Sequence, residues 1–260
     1  MHIDRFITAF FDPHIIAETA PRIILVGFKY TLILTVGSVA IGLVIGMVLA
    51  LMVTSRRRWL RLPGKIYVDI FRGVPGLLSI FVIGAGLPLA GIAPFGRNIF
   101  AYAMVAIGLI QGAYICEIFR SGIEGIGRQQ MEAARGLGLS HGAAMRYIIV
   151  PQGIRHVLPS LTGQVIIAIK ETALVYVLGI VPANQELFSA AQSASTEYAS
   201  MTPVVIAGLM YLVLTVPMTH LVNAMDARIR RGPAFVLEGG DDADVATPGT
   251  PPSGEPGRAR

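Results

Sequence analysis

Charge is what this sequence has least of. Of 260 residues, 14% are Asp, Glu, Lys or Arg, against roughly 25% in an ordinary soluble domain. So few charges cannot cover a large water-facing surface, which argues for residence in a membrane. Cysteine is nearly missing. Cys116 stands alone in an apolar stretch, which excludes an internal disulfide or a Cys-based metal site and leaves a small buried side chain. The histidines His2, His14, His141, His156 and His220 are scattered and share no metal-ligand spacing with carboxylates, so no metal centre and no membrane enzyme is expected. His141 and His156 read as surface residues. There is no Gly-x-x-x-x-Gly-Lys-Ser/Thr loop to cradle nucleotide phosphates. The formal charge of +5 sits in short basic clusters beside apolar runs, a pattern that does not point to nucleic acid.

What is present is long apolar sequence. Residues 1–22 mix His2, Asp4, Arg5, Asp12, Glu18 and Pro21 with short apolar pieces. The first long apolar run comes later and is too long for a signal core, so insertion is expected rather than export. A crossing helix needs about 20 mostly apolar residues. Thr31 to Val53 qualifies, as do Ile66 to Leu89, Asn98 to Ile118, Leu158 to Val181 and Pro203 to Val222. The second starts with Asp69 and Arg72, and Pro75 should kink or delay it. The expected fold is therefore all-α, a polytopic bundle of about five membrane helices. Lys and Arg concentrate in cytoplasmic loops. Arg56 to Lys65, the segment from Arg120 to Arg155, and Arg228 to Arg231 hold most of them. With five spans these fall on one side, placing the N-terminus outside and the C-terminus inside. Residues 23–231 form the membrane domain, and 232–260, rich in Gly, Asp and Pro, read as a disordered cytoplasmic tail. Gly42 and Gly46, and Gly108 and Gly112, lie four apart, which suits close helix packing.

Between the third and fourth spans, residues 119–156 are too polar to cross but read as helical. Gln129 to Leu137 are good helix formers, Gly138 can take φ > 0 at a helix end, and Ser140 can cap the next helix. Ala143 to Val150 continues that helix and Pro151 should close it. Such an elbow could sit in a cleft of a second protein and pass on its motion, or lie on lipid headgroups through Arg128, Arg135 and Arg146.

The pattern Glu132-Ala133-Ala134, Gly138, Ile148, Val150-Pro151 resembles the EAA loop of ABC-importer permeases, with Val150 for the usual Leu. Arg72-Gly73-Val74-Pro75, Gly112-Ala113-Tyr114 with Glu117 and Arg120, and Lys170-Glu171-Thr172-Ala173-Leu174 resemble stretches of the polar amino acid (histidine/glutamine/arginine-type) branch. The resemblance runs from about Tyr30 to Arg231. It implies the type I ABC importer permease fold in a cell inner membrane, and alternating access driven by partner ATPase subunits. It also implies a second permease copy or sister permease and an extracytoplasmic solute-binding protein, with ATP held by the partner and no cofactor here. Glu132, Ala133, Ala134, Gly138, Ile148 and Pro151 would then couple to the ATPase. Ionisable residues in spans usually face an interior or an aqueous cavity, so Arg72, Glu117, Lys170 and Glu171 are candidates for a polar solute pathway. Mutual ion pairing that only fixes packing is the alternative. Opines and compatible solutes stay open as substrates, as do a secondary transporter or a membrane scaffold as other functions.

Overall fold

The computed structural model describes residues 2–55, 57–126 and 128–230. The tail expected to be disordered lies outside the described residues. Among the described residues every regular element is helical. Helices α1 (His2–Phe10) and α2 (Pro13–Arg22) lead through a π-helical turn, Ile23–Gly27, into α3 (Phe28–Val53). Asp12 starts α2 by accepting from the N–H of His14 at 2.9 Å, and Pro13 occupies the first turn, where its missing N–H costs nothing. The chain then forms α4 (Arg58–Gly73), α5 (Gly76–Phe81), a π turn, α6 (Leu87–Leu89) and α7 (Ile99–Glu124). After these come α8 (Arg128–Gly136), α9 (His141–Ala144), a π turn and α10 (Val150–Glu171). Two 3₁₀ segments, α11 (Leu187–Tyr198) and α12 (Thr202–Arg230) complete the fold.

Among the described residues four helical stretches are long and apolar enough to cross a membrane: Arg5–Val53, Ile99–Gly122, His141–Leu178 and Thr202–Arg228. A fifth follows if α4 and the α5–α6 arm count as one broken span. A single kinked helix from Ile66 is not what forms there. The helix begins at Arg58, and the two arms meet at 107°. Pro75 forces Val74 into extended backbone (φ −85°, ψ 134°), because its ring clashes with a helical predecessor and it brings no N–H to the ladder. The expectation that Pro151 closes its helix also fails. Met145–Ile149 forms a π turn, and Pro151 falls in the first turn of α10, so helix continues from His141 to Leu178. A widened turn already interrupts the regular i→i−4 ladder, so the missing N–H and the ring of proline are accommodated there.

The core forms along α7. Leu34, Ile80, Ala103, Ala106, Ile107, Ile110 and Val175 make its central cluster, and Leu49, Ala50, Val53, Val68 and Cys116 close one end. Cys116 is buried and free. The glycine pairs form the seam between α3 and α7. A Cβ on Gly42 would lie 2.7 Å from the Gln111 Cβ, and one on Gly112 would lie 2.7 Å from Cγ2 of Ile45. Real Cβ atoms do not approach that closely, so only glycine lets these helices sit at this separation.

Candidate functional site

The elbow between α7 and α10 is built by local signals. Helix α8 ends in a Schellman turn: Gly138, at φ +84°, donates to the Arg135 carbonyl at 3.0 Å, and Leu139 donates to that of Ala134 at 3.2 Å. The Ser140 hydroxyl oxygen then accepts from the Ala143 N–H at 3.2 Å and starts α9. Glu132 and Ala133 are exposed, whereas Ala134 is 2% exposed and faces its own fold. Ile148 is half-buried and Pro151 exposed. Leu137, which sequence reasoning did not single out, is 84% exposed at the turn. A large apolar side chain held out at a rigid turn was visible in the sequence only as part of a helix-forming run.

Arg72 and Glu117 are brought together. Glu117 Oε2 lies 3.7 Å from Arg72 Nη1 and 2.6 Å from Arg120 Nη2, and Arg120 also binds Glu124 at 2.5 Å. The Arg72 guanidinium lies 5.6 Å from the Tyr114 ring centre. Arg72, Glu117, Arg120 and Glu124 line a cavity of about 730 Å³ with Arg61, Lys65 and Asp69, open between the end of α3, α4 and the end of α7. Both signs of charge face it, so it can receive a polar solute or bulk water.

Glu171 belongs to a different cluster. Its Oε2 accepts from Gln111 Nε2 at 2.7 Å, and Gln111 Oε1 accepts from Gln164 Nε2 at 2.8 Å. Gln111 is 0% exposed and faces Gly42 across the seam. Sequence reasoning missed both glutamines; the available signal was an amide in the middle of an apolar helix. Lys170 joins neither group. It is exposed and makes no ion pair among the described residues.

Near the opposite end, Glu186 caps α11. Its carboxylate accepts from the N–H groups of Phe188 at 2.7 Å and Ser189 at 2.6 Å, and from the Tyr211 hydroxyl at 3.0 Å. Thr31 accepts from the Leu187 N–H at 3.0 Å. Burial pushes the Glu186 carboxyl above its ordinary range, and these hydrogen bonds pull it back in part. The group ties α3, α11 and α12 together.

Residues 42–231 match the family described as binding-protein-dependent transport system inner membrane component. Over 216 residues the chain is 34% identical to the arginine transport system permease protein of Bacillus subtilis, covering 82% of this chain and 96% of that protein. Over 222 residues it is 35% identical to the octopine transport system permease protein of Rhizobium radiobacter, covering 83% and 89%. Among solved structures, an amino acid ABC transporter crystallised with histidines superposes with a TM-score of 0.74 at 33% identity, covering 82% of this chain and 96% of that one.

Proposed function

We infer the activity from one premise: this chain belongs to the family of binding-protein-dependent transport system inner membrane components. It is a multi-pass permease subunit of an ABC importer, and its solute is a polar amino acid or a close derivative. The observation that carries the substrate class is the likeness, over nearly their whole length, to permeases named for arginine and octopine transport. Octopine is itself an amino acid derivative, so the opine reading belongs in the same test.

Residues 23–231 form the permease domain, with the basic segments inward, the N-terminus outside and the C-terminus inside. This orientation follows from the Lys and Arg asymmetry. ATP is bound and hydrolysed by partner ATPase subunits. They receive the elbow through Glu132, whose exposed carboxylate can form a charge-assisted hydrogen bond, and through Ala133, which lets the helix approach closely. Gly138 fixes the angle of the elbow, Ile148 lies in the π turn that leads into α10, and Pro151 opens that helix. A second permease, identical or sister, pairs with this one. The exposed Lys170 supports that pairing, because an ammonium on the outside of a spanning helix is costly in lipid and needs a partner or an aqueous pathway. An extracytoplasmic binding protein delivers the solute. Arg72 and Glu117 then line the wide end of the pathway, and Glu171 with Gln111 offers an acceptor for an ammonium deeper in the bundle.

Reconstitution of the chain with its ATPase and binding protein tests this. ATP-dependent uptake of labelled arginine, glutamine or octopine into proteoliposomes is expected. Uptake driven by an ion gradient without ATP, or no uptake of any amino acid, overturns it.

A further inference from the structure

Helix α4 has three faces. Gly64 and Val68 are buried, Gly64 against Val53 and Met52 of α3. At 100° per residue, Trp59, Leu62, Ile66 and Ile70 fall within an arc of about 80°. All four are exposed, Trp59 at 67%. Arg58, Arg61 and Lys65 fall in a separate arc of about 60° between these faces. With Arg57 they make four cations in nine residues, and no acid appears before Asp69. Among the described residues none of the four forms an ion pair within 4.0 Å; Arg61 and Lys65 border the cavity that holds Asp69, Glu117 and Glu124, but the carboxylates of Glu117 and Glu124 are bound by Arg72 and Arg120.

The bend fixes how this helix can sit. Gly76 to Leu89 carries no charge, so the α5–α6 arm is the part of this bent pair that enters hydrocarbon. A helix at 107° to it then lies close to the membrane plane. There an exposed apolar stripe beside a basic stripe is the signature of an interfacial helix, with its apolar side chains among the acyl chains and its cations at headgroup level. Leu51, on the last turns of α3, is likewise exposed.

We propose that α4 is a docking surface for anionic phospholipid in the cytoplasmic leaflet. Trp59, Leu62, Ile66 and Ile70 enter the acyl region, and Arg57, Arg58, Arg61 and Lys65 receive phosphate headgroups. Lipid phosphate adds counter-charge along the basic stripe, and it holds in place one wall of the cavity that contains Arg72 and Glu117. The inference rests on the inward orientation proposed above.

Trp59 is the chain's one tryptophan, which makes it a native probe. The full chain is placed in nanodiscs containing brominated phosphatidylglycerol or brominated phosphatidylcholine at equal mole fraction, and Trp59 fluorescence is read. Quenching by the anionic lipid is expected to exceed that by the zwitterionic lipid at least about two-fold. The variant Arg58→Gln/Arg61→Gln/Lys65→Gln should lose the preference while still being quenched. Equal quenching of the wild type by both lipids overturns the anionic selectivity. Absence of quenching by either overturns the docking surface and leaves a second subunit or water against the stripe. Labelling of Leu137→Cys in membrane vesicles separates this from the functional reading. Access from the outside would sink the orientation, whereas access from the inside with no lipid preference sinks the lipid proposal alone.

Discussion

Gly42 and Ala133 are both small residues on helices, yet only Gly42 is small on account of its own chain. A Cβ at Gly42 would collide with Gln111 at 2.7 Å, so the seam between α3 and α7 dictates glycine. Ala133 is exposed, and nothing within the fold limits its size. Ala134, its neighbour, is buried and is limited by packing in the ordinary way. A small residue with open space beside it leaves room for something outside the chain to approach the helix closely, as proposed for the ATPase. The elbow is thus read by the absence of an internal reason, and the seam by its presence.

Replacing Gly42 with Leu should produce the largest effect. Overpacking a tight contact typically costs about 1–3 kcal/mol, and here a backbone seam has to open, so loss of monodisperse protein in detergent is expected. Ala134→Asp should also destabilise, by placing a carboxylate where side chains are buried. If either variant unfolds at the wild-type temperature, the seam or the inward placement of Ala134 is wrong.

Ala133→Asp should do the reverse. As a surface change it should alter stability by no more than about 0.5 kcal/mol. Uptake by the assembled importer should nonetheless fall at least about ten-fold, a loss of roughly 1.4 kcal/mol of coupling, while the ATPase continues to turn over. Unchanged transport would remove the reason for placing a partner on the elbow. Two adjacent alanines giving opposite phenotypes, one in folding and one in transport, is the sharpest form of the comparison.

A third, smaller effect concerns the amide chain on the inner side of the seam. Glu171→Gln keeps the size and a hydrogen-bond acceptor for Gln111 but removes the charge. If Glu171 receives a solute ammonium, uptake falls about ten-fold, as expected for one lost charge-assisted bond. If it only holds Gln111 in place, uptake stays near wild type.

The local part of the structure was legible. The apolar runs, the Gly138 turn and the Ser140 cap depend on residues within one or two helical turns, and the fold uses them as read. The glycine pairs pointed to close packing before their partners were known. Contacts made at a distance were not legible. Gln111 meets Gln164 and Glu171 across 53 and 60 residues of sequence, and no periodicity announces an amide partner so far away. Pro151 looked like a helix end because its local chemistry is that of a helix end; the π turn before it lets the helix run on. Pro75 announced a break but not a 107° turn, since the angle depends on what α4 rests against. The grouping of Arg72 and Glu117 with Lys170 and Glu171 rested on charge alone, and the fold separates the four because α7 presents Glu117 and Gln111 to different neighbours.

The smallest expected effect lies at Glu186, where a buried group is fixed from inside as Gly42 is, but by charge rather than by volume. Burial raises its pKa above the ordinary value of 4.5, and the N–H groups of Phe188 and Ser189 and the Tyr211 hydroxyl oppose this only in part. The native protein therefore binds a proton that the unfolded chain has already released, in the window from the ordinary value up to the raised one. Across that window stability must fall as pH rises, because the state with more bound protons is the folded one. Glu186→Gln keeps a carbonyl to accept the capping N–H groups but cannot ionise, so its stability should lack this slope. Thermal unfolding of both proteins in detergent, followed from the ordinary carboxyl value of 4.5 upward, should show the wild type losing ground to the variant as pH increases. Parallel curves would mean that the cap compensates fully for burial, and that Glu186 is held as firmly by its hydrogen bonds as Gly42 is by the Gln111 side chain.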